Sequence, residues 1–253
     1  MKFARFITRE KTIRMGWINE DQIGVVEGDI FGEYRRLEAT LSLNNVTLLP
    51  PVEPGKIICL GRNYVEHAKE QGAEVPESPL IFLKAQTAIL PDRGEIVLPV
   101  QSEQVEHEAE LVVVIGKKGR WIPVEQSLNH VFGFTIGNDV TARDLQHKDG
   151  QWTRAKSFDT FCPVGPWIET DLDPSDTLIT CRVNSELRQM ASTREMVFTV
   201  PQIVAYISTV MTLLPGDLIF TGTPAGVGPL VGGDEVEIEI EGIGLLRNSV
   251  RNS

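Results

Sequence analysis

The chain has 253 residues, 42% of them apolar and 23% charged, with a formal net charge of −11. That balance fits a folded globular protein of one large or two modest domains and excludes disorder and fibrous repeats. The acidic excess argues against nucleic acid or an anionic membrane as a partner, and no apolar run approaches a membrane span. If the substrate is an anion, a local charge must invert this field, and a bound divalent cation is the natural source. Cys59, Cys162 and Cys181 are widely spaced, describe neither a disulfide framework nor a zinc site, and read as reduced and packed. The opening Met-Lys-Phe-Ala-Arg-Phe has no continuous apolar stretch, so a cytoplasmic protein is expected.

In chain order, short β-type runs at Lys2 to Ile7, Ile13 to Ile18 and Gln22 to Glu27 alternate with turn clusters and predict a small antiparallel meander. Proline and glycine concentrate between Pro50 and Gly55, which places a boundary near Pro51, with a small N-terminal β module over 1–50 and a larger domain over 51–253. Lys56 to Leu60 then reads as a buried strand, and Asn63 as the N-cap of a helix running to Gln71. Strands follow at Leu80 to Lys84, Ile96 to Pro99, Glu106 to Gly116 and Val131 to Asn138, and Thr141-Ala-Arg-Asp144 has the spacing of a capping box. Ile179 to Val183 and Glu186 to Met190 flank Asn184-Ser185 as a tight hairpin. Ile203, Ile207, Val210 and Leu214 lie at helical spacing, so Pro201 to Leu213 is expected to be a helix. In the tail Val236, Ile238 and Ile240 alternate with Glu235, Glu237 and Glu239, which are assigned to a solvated face. Strands dominate and no βα rhythm is present, so the class is mainly β, of the α+β kind.

Chemistry concentrates in a few places. Side chains two apart on a strand share a face, so Glu108 and Glu110 point together toward the side that continues as Val112 and Val114. Like charges so placed repel unless a cation lies between them; the plain alternative is a solvated strand end, which suits Glu106. Asp139 follows the apolar strand Val131 to Gly137 and supplies a third acid, a donor set suited to Mg²⁺ or Mn²⁺, while His107 alternates to the opposite face. His67 and Glu70 stand at i and i+3 on one helix, where the carboxylate can fix the imidazole tautomer. Without further context they are a surface ion pair, and Lys156 is an ordinary solvated lysine. Thr221 to Gly228 is glycine-dense and permits close approach of a ligand, yet lacks the Gly-Lys-Ser/Thr ending of a phosphate-binding loop.

Five strings in this order, Gly61-Arg-Asn-Tyr-Val-Glu-His-Ala-Lys-Glu70, His107-Glu-Ala-Glu-Leu111, Asn138-Asp-Val-Thr-Ala-Arg-Asp-Leu-Gln146, Ala155-Lys-Ser-Phe158 and Phe220-Thr-Gly-Thr-Pro-Ala-Gly-Val-Gly228, resemble the fumarylacetoacetate hydrolase family. The likeness is to its shorter bacterial and mitochondrial branch, which acts on acylpyruvates, oxaloacetate and related 2-oxo or 2-enol dicarboxylates. The resemblance implies a mixed β-sandwich or roll, a homodimer, and Mg²⁺ or Mn²⁺ held by Glu108, Glu110 and Asp139. It also implies that His67 and Glu70 activate water, that Lys156 stabilises developing negative charge, and that Gln146 and Thr223 touch substrate. Arg62 and Asn63 are added as substrate contacts, Arg62 as a carboxylate clamp because its fork is bidentate. The expected activity is hydrolysis of a carbon–carbon bond in acylpyruvate or fumarylacetoacetate-type 2-oxo acids. Oxaloacetate decarboxylation or tautomerisation, or isomerisation of 2-hydroxyhepta-2,4-diene-1,7-dioate, is the alternative on the same site. A non-catalytic, metal-stabilised binding module is the competing class.

Overall fold

The computed structural model describes residues Met1–Ser253. Its framework is a twelve-stranded mixed sheet, most of which lies on one path. That path runs Tyr34–Ser42, Gln22–Gly28, Ile13–Asn19, Lys2–Ile7, Cys162–Glu169, Val131–Asn138, Ala109–Ile115, Leu218–Phe220, Ile57–Gly61 and Leu80–Lys84. A five-stranded sheet is built from Glu186–Ser192, Leu178–Val183, Glu235–Ile240, Gly244–Asn252 and Glu95–Leu98. Between them a small three-stranded sheet joins Thr141–Ala142, Val105–His107 and Gly228–Pro229. Four α-helices complete the chain: α1 (Val65–Glu70), α2 (Arg143–Asp149), α3 (Thr153–Lys156) and α4 (Val200–Val210). The mainly β class expected from the sequence is the class observed, and no helix is long and apolar enough to cross a membrane.

The strand Ala109–Ile115 shows why its sequence is an almost unbroken apolar run. Leu111, Val113 and Ile115 enter the larger core cluster with Ile179, Ile238 and Leu246 of the five-stranded sheet and Ile203 and Ile207 of α4. Val112 and Val114 enter a second cluster on the other face, with Phe3, Val164 and Phe220. Period-2 geometry therefore buries both faces, and every residue of the strand is buried. The three cysteines are free and buried.

Several local expectations are corrected. The meander has a fourth strand, Tyr34–Ser42, and it continues the large sheet, since Phe3 pairs with Ile168. Asn63 does not cap α1; Tyr64 holds that position, without a side-chain capping bond. No capping box forms at Thr141, whose hydroxyl donates to Asp139 O at 2.8 Å, while the Asp144 carboxylate accepts from the Ser102 hydroxyl and Glu103 N. A capping box does begin α4, between Thr199 and Gln202, and that helix ends at Val210 because Met211 turns to extended backbone. Glu106–Gly116 is not one strand but two, interrupted at Glu108.

Gly137 precedes the interruption in the neighbouring strand and packs directly on Phe220 and Val112: a Cβ there would lie 2.3 Å from Phe220 Cε1 and 2.5 Å from Val112 Cγ2. Overpacking of this kind costs about 1–3 kcal/mol, so Gly137→Ala should lower the melting temperature by roughly 2–12 °C. Thermal unfolding followed by circular dichroism checks this, and an unchanged midpoint would show that Phe220 moves aside freely.

Candidate active site

The site lies where two adjacent strands leave one sheet for another. Residues 105–107 pair with 141–142 in the small sheet, whereas 109–115 pair with 131–138 in the large one. Glu108 and Asp139 are the residues at this crossing, and they face each other through Asp139 N donating to Glu108 O at 2.9 Å. The Asn138 side chain completes the junction by accepting from Glu108 N at 2.9 Å. Ionisable side chains are thereby delivered into the interior from backbone positions that no longer belong to a ladder.

Glu108, Glu110 and Asp139 converge, with one carboxylate oxygen from each lying within 4.8 Å of the others, and all three are buried. Lys156 Nζ donates to Glu108 Oε2 and Asp139 Oδ2, both at 2.7 Å. Lys84 pairs with the other Asp139 oxygen, and Arg143 with Glu108 and, at 2.7 Å, with Glu106. Four buried carboxylates, Glu106, Glu108, Glu110 and Asp139, thus meet three buried cations, Lys84, Lys156 and Arg143, which leaves one carboxyl without a cation to pair with. The unmatched one is Glu110. Its Oε2 accepts from Gly222 N at 2.7 Å, but its Oε1 is buried with no partner. Burial, reinforced by the charges of Asp139 and Glu108, pushes the Glu110 carboxyl well above the ordinary range. Burial also opposes ionisation of Glu108, yet Lys156 and Arg143 outweigh it and hold that carboxyl well below its usual range. An orphaned hard oxygen beside two others is the donor set of a divalent cation such as Mg²⁺ or Mn²⁺, and the three residues fit one.

A cavity of about 300 Å³ opens from this cluster, with Glu108 and Lys156 in its wall. His67 lines it as well, and its Nδ1 lies 3.2 Å from Glu70 Oε2. Burial alone would raise the Glu70 carboxyl, but hydrogen bonds from His67 and from Gly226 N hold it below the ordinary range. Such a carboxylate accepts, so the His67 proton resides on Nδ1 and Nε2 is the nitrogen free to take one. From α2, Arg143, Gln146 and His147 reach the cavity because positions i, i+3 and i+4 share a helix face. Arg143 Nη1 donates to Gln146 Oε1 at 2.6 Å, which leaves the Gln146 amide N–H groups for a ligand.

The structure brings most of the expected residues to one place. His67, Lys156, Gln146, Thr223 and Arg62 line the cavity with Glu108, and Glu110 and Asp139 lie behind Glu108 in the carboxylate cluster. Asn63 is buried outside the wall: its amide donates to Thr221 O and Phe198 O and accepts from Phe198 N, so it ties two loops together. Glu106 is buried in a pair with Arg143 rather than solvated, and Lys156 is buried rather than free. His107 packs away from the acids and bonds Gln189 at 3.0 Å. Lys84, Arg143 and Gln189 escape a reading of the sequence, although a lysine closing the apolar run Leu80-Ile-Phe-Leu-Lys84 is a usable signal.

Removing the unmatched carboxyl separates stability from metal binding. Glu110→Gln should make the metal-free protein melt higher than the unsubstituted protein. It should also abolish the shift of roughly 5–10 °C that a divalent cation at a hundred times its dissociation constant gives the latter. A retained metal-dependent shift in thermal melts would remove Glu110 from the site.

Residues 56–251 match the family described as fumarylacetoacetate (FAA) hydrolase C-terminal, and residues 1–51 match one described as Rv2993c-like, N-terminal. Human mitochondrial oxaloacetate tautomerase FAHD2A is 47% identical over 223 residues, 83% of this chain and 71% of that protein. The crystal structure of 5-carboxymethyl-2-hydroxymuconate delta-isomerase from Mycobacterium smegmatis matches over 100% of both chains, with a TM-score of 0.93 and 42% identity. Maleylpyruvate hydrolase from Sphingobium sp. SYK-6, solved with manganese(II) and pyruvate, also matches over 100% of both chains, with a TM-score of 0.83 and 33% identity. A match spanning the whole of the larger part of the chain, on a fold held in common from end to end, makes this protein a member of the fumarylacetoacetate hydrolase family.

Proposed function

We propose that this protein is a divalent-metal-dependent enzyme that forms the enolate of a small 2-oxo carboxylate and moves a proton at its C3 carbon, as a keto–enol tautomerase or isomerase. One observation carries the reading: His67, its Nδ1 held by Glu70, lines the same cavity as Glu108 and Lys156, so a base and a centre for developing negative charge face one bound molecule. When bound at Glu108, Glu110 and Asp139, Mg²⁺ or Mn²⁺ would supply a Lewis acid for the substrate's carboxylate and 2-oxo oxygen. His67 Nε2 takes the C3 proton and returns it, while Glu70 keeps the ring oriented and stabilises its charged form. The Lys156 ammonium lies against the oxygen that becomes negative, and the Gln146 amide donates beside it.

Carbon–carbon hydrolysis, which the sequence places first, becomes the second reading. The same His67–Glu70 pair supports it, since a base that can take a C3 proton can also take one from water. Hydrolysis also needs a positioned water and donors for a second oxyanion at the distal carbonyl. The paired donors here, Lys156 and Arg143, gather at the carboxylate cluster instead. The similar proteins include a tautomerase and an isomerase, at 47% and 42% identity, beside a hydrolase at 33%, so they support enolate chemistry in general.

The Mg²⁺-loaded protein should convert enol-oxaloacetate to its keto form, followed by loss of enol absorbance, with a higher kcat/KM than it shows in cleaving acetylpyruvate or decarboxylating oxaloacetate. His67→Ala should slow the conversion by about 10²–10⁴-fold while divalent-cation affinity is retained. Faster cleavage of acetylpyruvate than tautomerisation of oxaloacetate would restore hydrolysis to first place.

A further inference from the structure

The strand crossing turns on Glu108, and the residues on either side of it bond to one and the same side chain. Ala109 N donates to Gln189 Oε1 at 3.1 Å, and His107 Nδ1 lies 3.0 Å from that oxygen. Gln189 belongs to the edge strand Glu186–Ser192 of the five-stranded sheet, is wholly buried, and stands outside the cavity wall. Its amide nitrogen faces the glycine-rich loop and donates to Thr223 Oγ1 and Pro224 O, both at 2.8 Å. A carbonyl such as Pro224 O only accepts, so the nitrogen must be the end that meets it, and the amide has a single orientation. Both hydrogens and both lone pairs of the side chain are then used, and His107 donates from Nδ1. Neither a carboxylate, which has no hydrogen to give, nor an apolar side chain of the same length can replace it.

The loop that Gln189 holds supports both halves of the site. Gly222 N donates to Glu110 Oε2 at 2.7 Å, and Gly226 N donates to Glu70 Oε1 at 3.1 Å, behind His67. Thr223 Oγ1 donates in turn to Ala109 O at 2.9 Å, which closes a ring of three hydrogen bonds through Gln189, Thr223 and Ala109. Gly226 has φ +97° and sits directly on the strand that carries Gln189, where a Cβ would lie 2.1 Å from Arg188 O. The loop is thus seated on that strand and tied through Gln189 to the backbone beside Glu108.

We propose that Gln189 is a positioning residue that sets the acid cluster and the His67 base at their working separation. It acts through Glu108 and Glu110 at one end and through Glu70 and His67 at the other. The part concerning the base rests on the enolate reading, whereas the hold on the carboxylates stands apart from it.

Two measurements on Gln189→Met test this: Mn²⁺ affinity by titration calorimetry, and turnover of enol-oxaloacetate at saturating Mg²⁺. Both should fall by about 10–100-fold, the cost usual for a residue that orients metal ligands from behind, and kcat rather than KM should carry the loss of turnover. Placed on His67→Ala, the same substitution should cost several-fold less in turnover, because the base it acts through is gone, while its cost in Mn²⁺ affinity stays whole. Gly226→Ala leaves Gln189 in place and lifts the loop off Arg188, so it should lower turnover more than Mn²⁺ affinity, and it carries the test should the methionine variant fold poorly. A Gln189→Met protein that melts lower yet matches the unsubstituted protein in affinity and turnover, or undiminished turnover in Gly226→Ala, overturns the proposal. A turnover loss repeated in full on His67→Ala overturns the link to the base. If the unsubstituted protein binds Mn²⁺ but leaves enol-oxaloacetate unchanged, the enolate reading falls, and the affinities alone decide the hold on the carboxylates.

Discussion

The Glu110 carboxyl, buried with no cation to match it, is the constraint to which the interior of this protein answers. Buried ion pairs recover their desolvation cost only when every charge is matched, and here four acids share three bases. Lys84 and Lys156 hold the two oxygens of Asp139, and Arg143 ties Glu108 to Glu106, so each of those acids is answered. Glu110 Oε1 is not. Well-packed apolar residues would serve stability as well or better, which makes the cluster intelligible as a place prepared for a further cation rather than as a stabilising core.

The fold meets this constraint with backbone that changes partners. Because 105–107 and 109–115 belong to different sheets, Glu108 sits at a crossing with its backbone satisfied by Asn138 and Asp139. The glycine-rich segment Thr221 to Gly228 then links the two halves of the chemistry. Gly222 N supports Glu110 in the acid cluster, and Gly226 N supports Glu70 behind His67. The segment is held from two directions: by Asn63, which binds Thr221 O, and by Gln189, which binds the Thr223 hydroxyl and Pro224 O. Glu70 and Glu110 thus take hydrogen bonds from one loop, and a shift of that loop would disturb both together.

An electrophilic end and a facing base can serve tautomerisation, isomerisation, decarboxylation or hydrolysis, because all of these pass through an enolate or resemble its formation. The end that chelates is shared by any 2-oxo acid. The rest of the cavity wall, which includes Arg62, Trp152 and His147, is where substrates that share this end would be told apart.

Much of this was legible in the amino-acid order, because it depends on neighbours in the chain. The hairpin at Asn184-Ser185 follows from residues that accept positive φ, the two-faced burial of the strand Ala109–Ile115 from the apolar run Leu111 to Ile115, and α4 from its 3.6-residue spacing. Glu108 and Glu110 converge, although Glu108 lies at a break between two strands rather than in the alternating strand the sequence suggested, and the helical i, i+3 rule placed His67 beside Glu70. What the order of residues leaves open is exposure and pairing between distant segments. Glu106 and Lys156 look like solvated charges in sequence and are buried in the fold. Lys84 meets Asp139 across 55 positions, and Glu110 meets Gly222 across 112. Whether a carboxylate is ionised, matched or orphaned is set by the dielectric and the charges a few ångströms away, and those arrive from parts of the chain that only the packed sheets bring together.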